Sequence, residues 1–167
     1  MEPKQAFGTG LHPSTQLSVE LLEDVVPRMN QRQGSCLDVG TGSGILAIVA
    51  SKLGVSHIVV MDKDPVALSV AEENFILNGC PGIRVWKKPW VHLGVFNLVV
   101  SNITSDTHVE LLPMYQKVLV SGGKLILSGV LDSEKEGLVQ KVKERGFHFE
   151  YSAKKEEWVA LVLERTE

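Results

Sequence analysis

The sequence predicts an α/β fold, a seven-stranded and mainly parallel sheet with helices on both faces, and three observations predict it. Short apolar runs alternate with amphipathic segments, and parallel neighbours need such helical crossovers. Two of the runs break directly into a glycine or aspartate turn followed by a helix start, at Gly40 to Gly44 and at Asp62-Lys63-Asp64-Pro65. The last two runs, 147–151 and 158–163, are joined only by the charged turn Lys154-Lys155-Glu156-Glu157, so they read as an antiparallel hairpin that closes the sheet. At 167 residues, 44% of them hydrophobic, the chain suits one core and a single domain over 1–167.

Each element has a local reason. Residues 1–15 lack periodicity and carry Phe7-Gly8-Thr9-Gly10-Leu11-His12-Pro13-Ser14-Thr15, which predicts a loop that acts as a lid. Pro13 and Ser14 suit a helix start, and Leu17, Leu21, Leu22 and Val25 then share one face up to Pro27. Cys36, Leu37 and Val39 form the first buried strand, followed by a helix through Ile45, Leu46, Ile48, Val49 and Leu53. The second strand, 58–61, ends at Asp62. Asp64 and Pro65 then cap a helix that stops near Asn78-Gly79. A short third strand is expected over 83–86, then a loop over 87–94 holding Pro89 and Trp90. The fourth strand, 96–101, ends at Asn102. Val109, Leu111, Leu112, Tyr115 and Val118 mark a helix in which Pro113 is tolerable only in the first turns. Gly122-Gly123 reads as a turn into a fifth strand, 124–127, and Asp132 or Ser133 as the cap of a helix closing at Gly146.

Composition narrows the function. With 17 Lys+Arg against 20 Asp+Glu the formal net charge is −3, so no global basic field favours direct nucleic-acid binding. Cys36 and Cys80 are the two cysteines, a usage that fits a reducing compartment. No apolar run approaches the roughly 20 residues of a membrane span, and a cytoplasmic location is expected. His57, His92, His108 and His148 lack metal-ligand spacing and read as structural or solvated; no metal is expected.

The chemistry concentrates at Asp38-Val39-Gly40-Thr41-Gly42-Ser43-Gly44. Three alternating glycines suit a loop that bends sharply and lets a ligand lie on its backbone, and the following helix start favours an anion. Counted from Gly40, a dinucleotide fingerprint fails at Ile45; counted from Gly42, the run to Ala47 fits, but the strand then ends two residues early. A purely structural turn is the third reading. Asp62 lies 22 residues after Gly40 at the next strand end, where an acid that holds ribose hydroxyls is expected. Asp38, inside an apolar strand, needs backbone or loop N–H partners and should brace the loop. Asn102 offers a donor and an acceptor beside the same cleft.

The Phe7 to Thr15 stretch, Asp38 to Ala47, Asp62-Lys63-Asp64-Pro65, Ser101-Asn102-Ile103 and Lys155-Glu156-Glu157-Trp158 together resemble the bacterial methyltransferases of large-subunit ribosomal protein eleven, in order across nearly the whole chain. The resemblance implies a Rossmann-like class I fold with S-adenosylmethionine as cofactor and methyl transfer to lysine or N-terminal amines of the ribosomal protein. It implies that Thr15 touches the methionyl end, that Gly40 meets the cofactor through its backbone in a loop shared with Gly42 and Gly44, that Asp62 holds the ribose, and that Asn102 sits by the transferable methyl. Family members carry a separate N-terminal recognition domain, whereas six residues precede Phe7 here. Another protein or a small-molecule amine therefore stays open as acceptor, as does a cofactor-binding module without activity of its own. An NAD-dependent oxidoreductase is less favoured. Asn102-Ile103-Thr104-Ser105 lacks the prolines and aromatic of adenine-amino methyltransferases.

Overall fold

The computed structural model describes residues 10–29 and 34–166. Helix α1 (Pro13–Val25) leads through a 3-10 turn to β1 (Ser35–Val39), α2 (Ile45–Lys52), β2 (His57–Met61), α3 (Pro65–Leu77) and β3 (Arg84–Val85). The second half is β4 (Phe96–Asn102), α4 (Ser105–Val118), β5 (Leu119–Leu131), α5 (Lys135–Glu144), β6 (Phe147–Lys155) and β7 (Trp158–Arg165). The strands form one seven-stranded sheet in the order β3-β2-β1-β4-β5-β7-β6. β1 to β5 run parallel, while β7 inserts antiparallel between β5 and β6.

Strand periodicity assigns the two cores. Cys36, Ile58, Val60, Leu98, Val100, Ile126 and Val162 face α1, α2 and α3; Leu37, Val59, Val99, Leu125, Leu127 and Leu161 face α4 and α5. Because both faces are covered, the central strands read as unbroken apolar runs. No helix among the described residues is long and apolar enough to cross a membrane.

Several local expectations are corrected. α1 begins at Pro13, as the Pro13-Ser14 start predicts, so residues 13–15 are helical and not part of the loop expected over 1–15; His12 is the N-cap, its ring accepting from the Ser14 amide. β3 has two residues, and the following loop contains a 3-10 turn at Trp90–His92 whose Trp86 and Trp90 rings pack on the edge of the α4–α5 core. Pro113 lies in the third turn of α4, where it leaves the Val109 carbonyl without an amide donor; burial of Leu112, Met114, Tyr115 and Val118 offsets that loss. Gly122-Gly123 does not separate two elements but forms a bulge inside β5, where residues 119 and 124 pair with 96 and 98. Neither Asp132 nor Ser133 caps α5. They belong to a 3-10 turn held by Glu134, whose carboxylate accepts from the Leu131 amide.

Candidate active site

The carboxyl ends of β1, β2 and β4 converge, and the loops that follow them are tied together by specific bonds. β1 ends at Val39, so Gly40 opens the turn; its amide and that of Thr41 both donate to the Met61 carbonyl at the end of β2, at 2.9 and 3.1 Å. The Gly42 register therefore starts two residues late for a dinucleotide fingerprint. Gly42 donates its amide to Asp62 Oδ2 at 2.9 Å, and the Asp64 amide donates to Oδ1 at 2.9 Å. Asp62 thus fixes the crown of the glycine loop, a role invisible in its sequence position. Each carboxylate oxygen has lone-pair capacity left for a hydroxyl donor.

The three glycines serve different ends. A Cβ on Gly40 would stand 2.6 Å from Ile103 Cγ2, and one on Gly44 would stand 2.5 Å from the Phe75 ring. These two glycines let protein pack against protein. Around Gly42, with φ +55°, a Cβ would meet no atom within 4 Å. Only there does the backbone present an uncovered face.

Asp38 braces the loop through the Thr41 hydroxyl, with the Ala47 amide also acting on its carboxyl. It is buried and accepts from the Thr41 hydroxyl at 2.7 Å through Oδ2, while Oδ1 has no hydrogen-bond partner. Burial pushes its carboxyl up to about 7, the Thr41 hydroxyl and the Ala47 amide pull it down, and the Asp62 charge adds a further push upward.

On the other side of the loop, Thr15 and Asn102 meet across 87 residues of chain: Asn102 Nδ2 donates to Thr15 Oγ1 at 3.2 Å. Thr15 is buried in the first turn of α1, and Asn102 is half-buried. Ile103, one residue on, is the group that covers Gly40, so the β4 end and the glycine loop are in direct contact. All six residues singled out by the sequence, Thr15 in α1, Gly40, Gly42, Gly44 and Asp62 in the loops after β1 and β2, and Asn102 at the end of β4, therefore lie at one end of the sheet. Residues 1–9 of the expected lid segment lie outside the described residues. Gly10 approaches Ile45, the first residue of α2, so closely that a Cβ there would stand 3.0 Å from Ile45 Cδ1. His12 packs edge-on against Trp158 at the start of β7, with ring centroids 4.8 Å apart. This contact joins two widely separated stretches that carried the family resemblance.

A sheet of this strand order, with a glycine loop after β1 and an acid after β2, is the class I methyltransferase fold. A putative RNA methyltransferase from Pyrococcus horikoshii shares it, with a TM-score of 0.77 over 92% of this chain and 85% of that one; at 14% identity the likeness concerns the fold alone. A family model of the ribosomal protein L11 methyltransferases (PrmA) matches residues 1–166, and the chain belongs to that family. The ribosomal protein L11 methyltransferase of Thermotoga petrophila is 40% identical over 167 residues, which are 99% of this chain and 62% of that protein. The chain thus spans less than two thirds of that relative's length. The crystal structure of a ribosomal protein L11 methylase from Lactobacillus delbrueckii subsp. bulgaricus is similar with a TM-score of 0.84 and 32% identity, covering 95% of this chain and 81% of that one.

Proposed function

We propose that this chain is an S-adenosylmethionine-dependent protein N-methyltransferase whose acceptor is an amine of ribosomal protein L11. The observation that carries the reading is the Gly42–Asp62 contact: of the three loop glycines only Gly42 has an open face, and it is held by a half-buried carboxylate at the next strand end. Gly40, Gly42 and Gly44 would shape the cradle, Asp62 would accept from the ribose hydroxyls, Thr15 would meet the methionyl end and Asn102 would stand by the methyl. The unpartnered buried oxygen of Asp38 fits the same ligand, because an ammonium group nearby offsets its charge. The family match and the names of the relatives support the acceptor. The cytoplasm, where ribosomal proteins are made, is the compartment this reading assigns.

The cofactor supplies a methyl activated by the sulfonium, and the chain's work is alignment. In-line transfer to an amine needs the nucleophile neutral and positioned, and no strong protein base is essential. A free lysine with a pKa of about 10.4 is neutral only about once in 2,500 at pH 7. Burial of the acceptor beside the cofactor's positive charge lowers that pKa. The Asn102 side-chain oxygen, whose amide nitrogen is committed to Thr15, is an acceptor able to orient an amine N–H. Calorimetry with S-adenosylhomocysteine, followed by methyl transfer to purified ribosomal protein L11, tests both halves. Binding with transfer supports the whole reading, binding without transfer overturns the acceptor, and absence of binding overturns the cofactor.

A further inference from the structure

Directly beneath these loops runs a chain of buried polar contacts. The Ser101 hydroxyl donates to the Val39 carbonyl at 2.9 Å, and the Tyr115 hydroxyl lies beside that of Ser101. His108 Nδ1 is 3.2 Å from the Tyr115 hydroxyl, and its Nε2 is 2.8 Å from the Ser128 carbonyl. That carbonyl also accepts from the Ile103 amide at 3.2 Å. The Ser128 hydroxyl in turn donates to the Ser14 carbonyl at 2.8 Å. Ser101, Tyr115, His108, Ser128 and Ser14 are all buried.

The chemistry fixes the imidazole. A carbonyl only accepts, so Nε2 carries the hydrogen and Nδ1 accepts from the Tyr115 O–H. Burial pushes the His108 pKa down to about 4, which keeps the ring neutral in this one-donor, one-acceptor form. The chain's contacts also fall next to the proposed site: Val39 precedes Gly40, Ser101 precedes Asn102, and Ser14 precedes Thr15. Ser128 precedes Gly129, where a Cβ would collide with the Ile103 carbonyl and stand 2.9 Å from Asn102 Oδ1. Asp62 stands apart, its partners being the Gly42 and Asp64 amides.

Resting on the cofactor reading above, we propose that His108 is a positioning residue for the methyl-bearing end of the site: by clamping the Ser128 carbonyl it holds Asn102 and the first turn of α1, and with them Thr15, in binding register. The methionyl side of the cradle depends on His108; the ribose side does not.

The test is calorimetric binding of S-adenosylhomocysteine and of 5′-deoxy-5′-methylthioadenosine, which lacks the amino-acid tail, to the whole chain and to His108→Leu, His108→Gln and Tyr115→Phe. Leucine removes the donor to Ser128, and leaving that acceptor underserved should weaken S-adenosylhomocysteine by about three- to tenfold while the tailless nucleoside changes by less than about twofold. Glutamine places an N–H where Nε2 stands and should recover most of the loss. If His108→Leu does not fold, His108→Gln and Tyr115→Phe carry the test: the first should match the wild type, and the second should weaken only the ligand with the tail. Equal losses for both ligands, no loss for either, or a glutamine variant no better than leucine would overturn the positioning role. A wild-type chain that binds neither ligand overturns the cofactor reading and this proposal with it, so the two failures are distinguishable.

Discussion

Replacement of Gly42 by alanine separates a ligand cradle from an ordinary tight turn. Its φ is +55°, and a non-glycine residue held in that region costs about 1–2 kcal/mol. A Cβ there meets nothing within 4 Å, so no steric overlap adds to the backbone term. The amide bond to Asp62 needs no side chain at residue 42 and survives. Gly42→Ala should therefore unfold about 2–8 °C below the wild type, at about 2–4 °C per kcal/mol for a chain of this size. Binding should suffer more than stability. A methyl on the face where the cofactor lies would force it off the backbone, with a loss of at least about tenfold, or about 1.4 kcal/mol. Calorimetry with S-adenosylhomocysteine, run beside thermal melts of the same preparations, reads both quantities. Affinity within about twofold of the wild type, with stability reduced as calculated, would refute the cradle.

Three further outcomes follow from the same geometry. Asp62→Ala should weaken S-adenosylhomocysteine by about ten- to a few hundredfold, since charge-assisted bonds contribute about 1.5–3 kcal/mol each; the wild type should prefer adenosine to 2′,3′-dideoxyadenosine and the variant should not, and a preference that persists removes the ribose role. Asp38 has a native pKa raised to about 7 against 3.8 when unfolded, so the native state keeps a proton that the unfolded chain releases, and the associated stability is present at low pH and lost as pH rises through 7. Urea titrations should then show Asp38→Asn gaining about 2–3 kcal/mol on the wild type between pH 5 and pH 8, whereas a constant difference contradicts the shift. Gly44→Ala should cost about 2–4 kcal/mol, because its Cβ would stand 2.5 Å from the Phe75 ring; adding Phe75→Leu should return part of that loss, and a double variant no more stable than the sum of the singles would point to backbone strain alone.

The sequence legibly carried those parts of the fold that depend on near neighbours. The apolar runs over β1, β2 and β4, the Asp64-Pro65 start of α3 and the terminal hairpin all have local causes, and they stand where patterning puts them. β5 was harder to read because Gly122-Gly123 carries the signature of a turn, while pairing with β4 on one side and β7 on the other holds the bulged strand together. Pro113 reads as a helix breaker until the buried residues around it are known. At the site, residue types at strand ends marked Asp62 and Asn102 and the family resemblance marked Thr15, but not what they touch. That Gly40 and Gly44 serve Ile103 and Phe75 while Gly42 stands open is a property of three-dimensional neighbours. His108 gave no signal at all, since its partners come from the same helix seven residues on and from a strand twenty residues away.

The position of β7 bears on how the protein comes into being. β7 follows β6 in sequence yet occupies an interior place in the sheet, between β5 and β6, and its Val159 to Leu163 stretch is buried on both faces. During synthesis β1 to β4 can pair once residues 96–102 have emerged, whereas β5 keeps an open edge until residues 158–165 follow. Until then the growing chain exposes an apolar strand edge, the kind of surface that chaperones shield. His12, the N-cap of α1, finds its Trp158 partner only when that strand is in place, so the start of α1 settles together with β7.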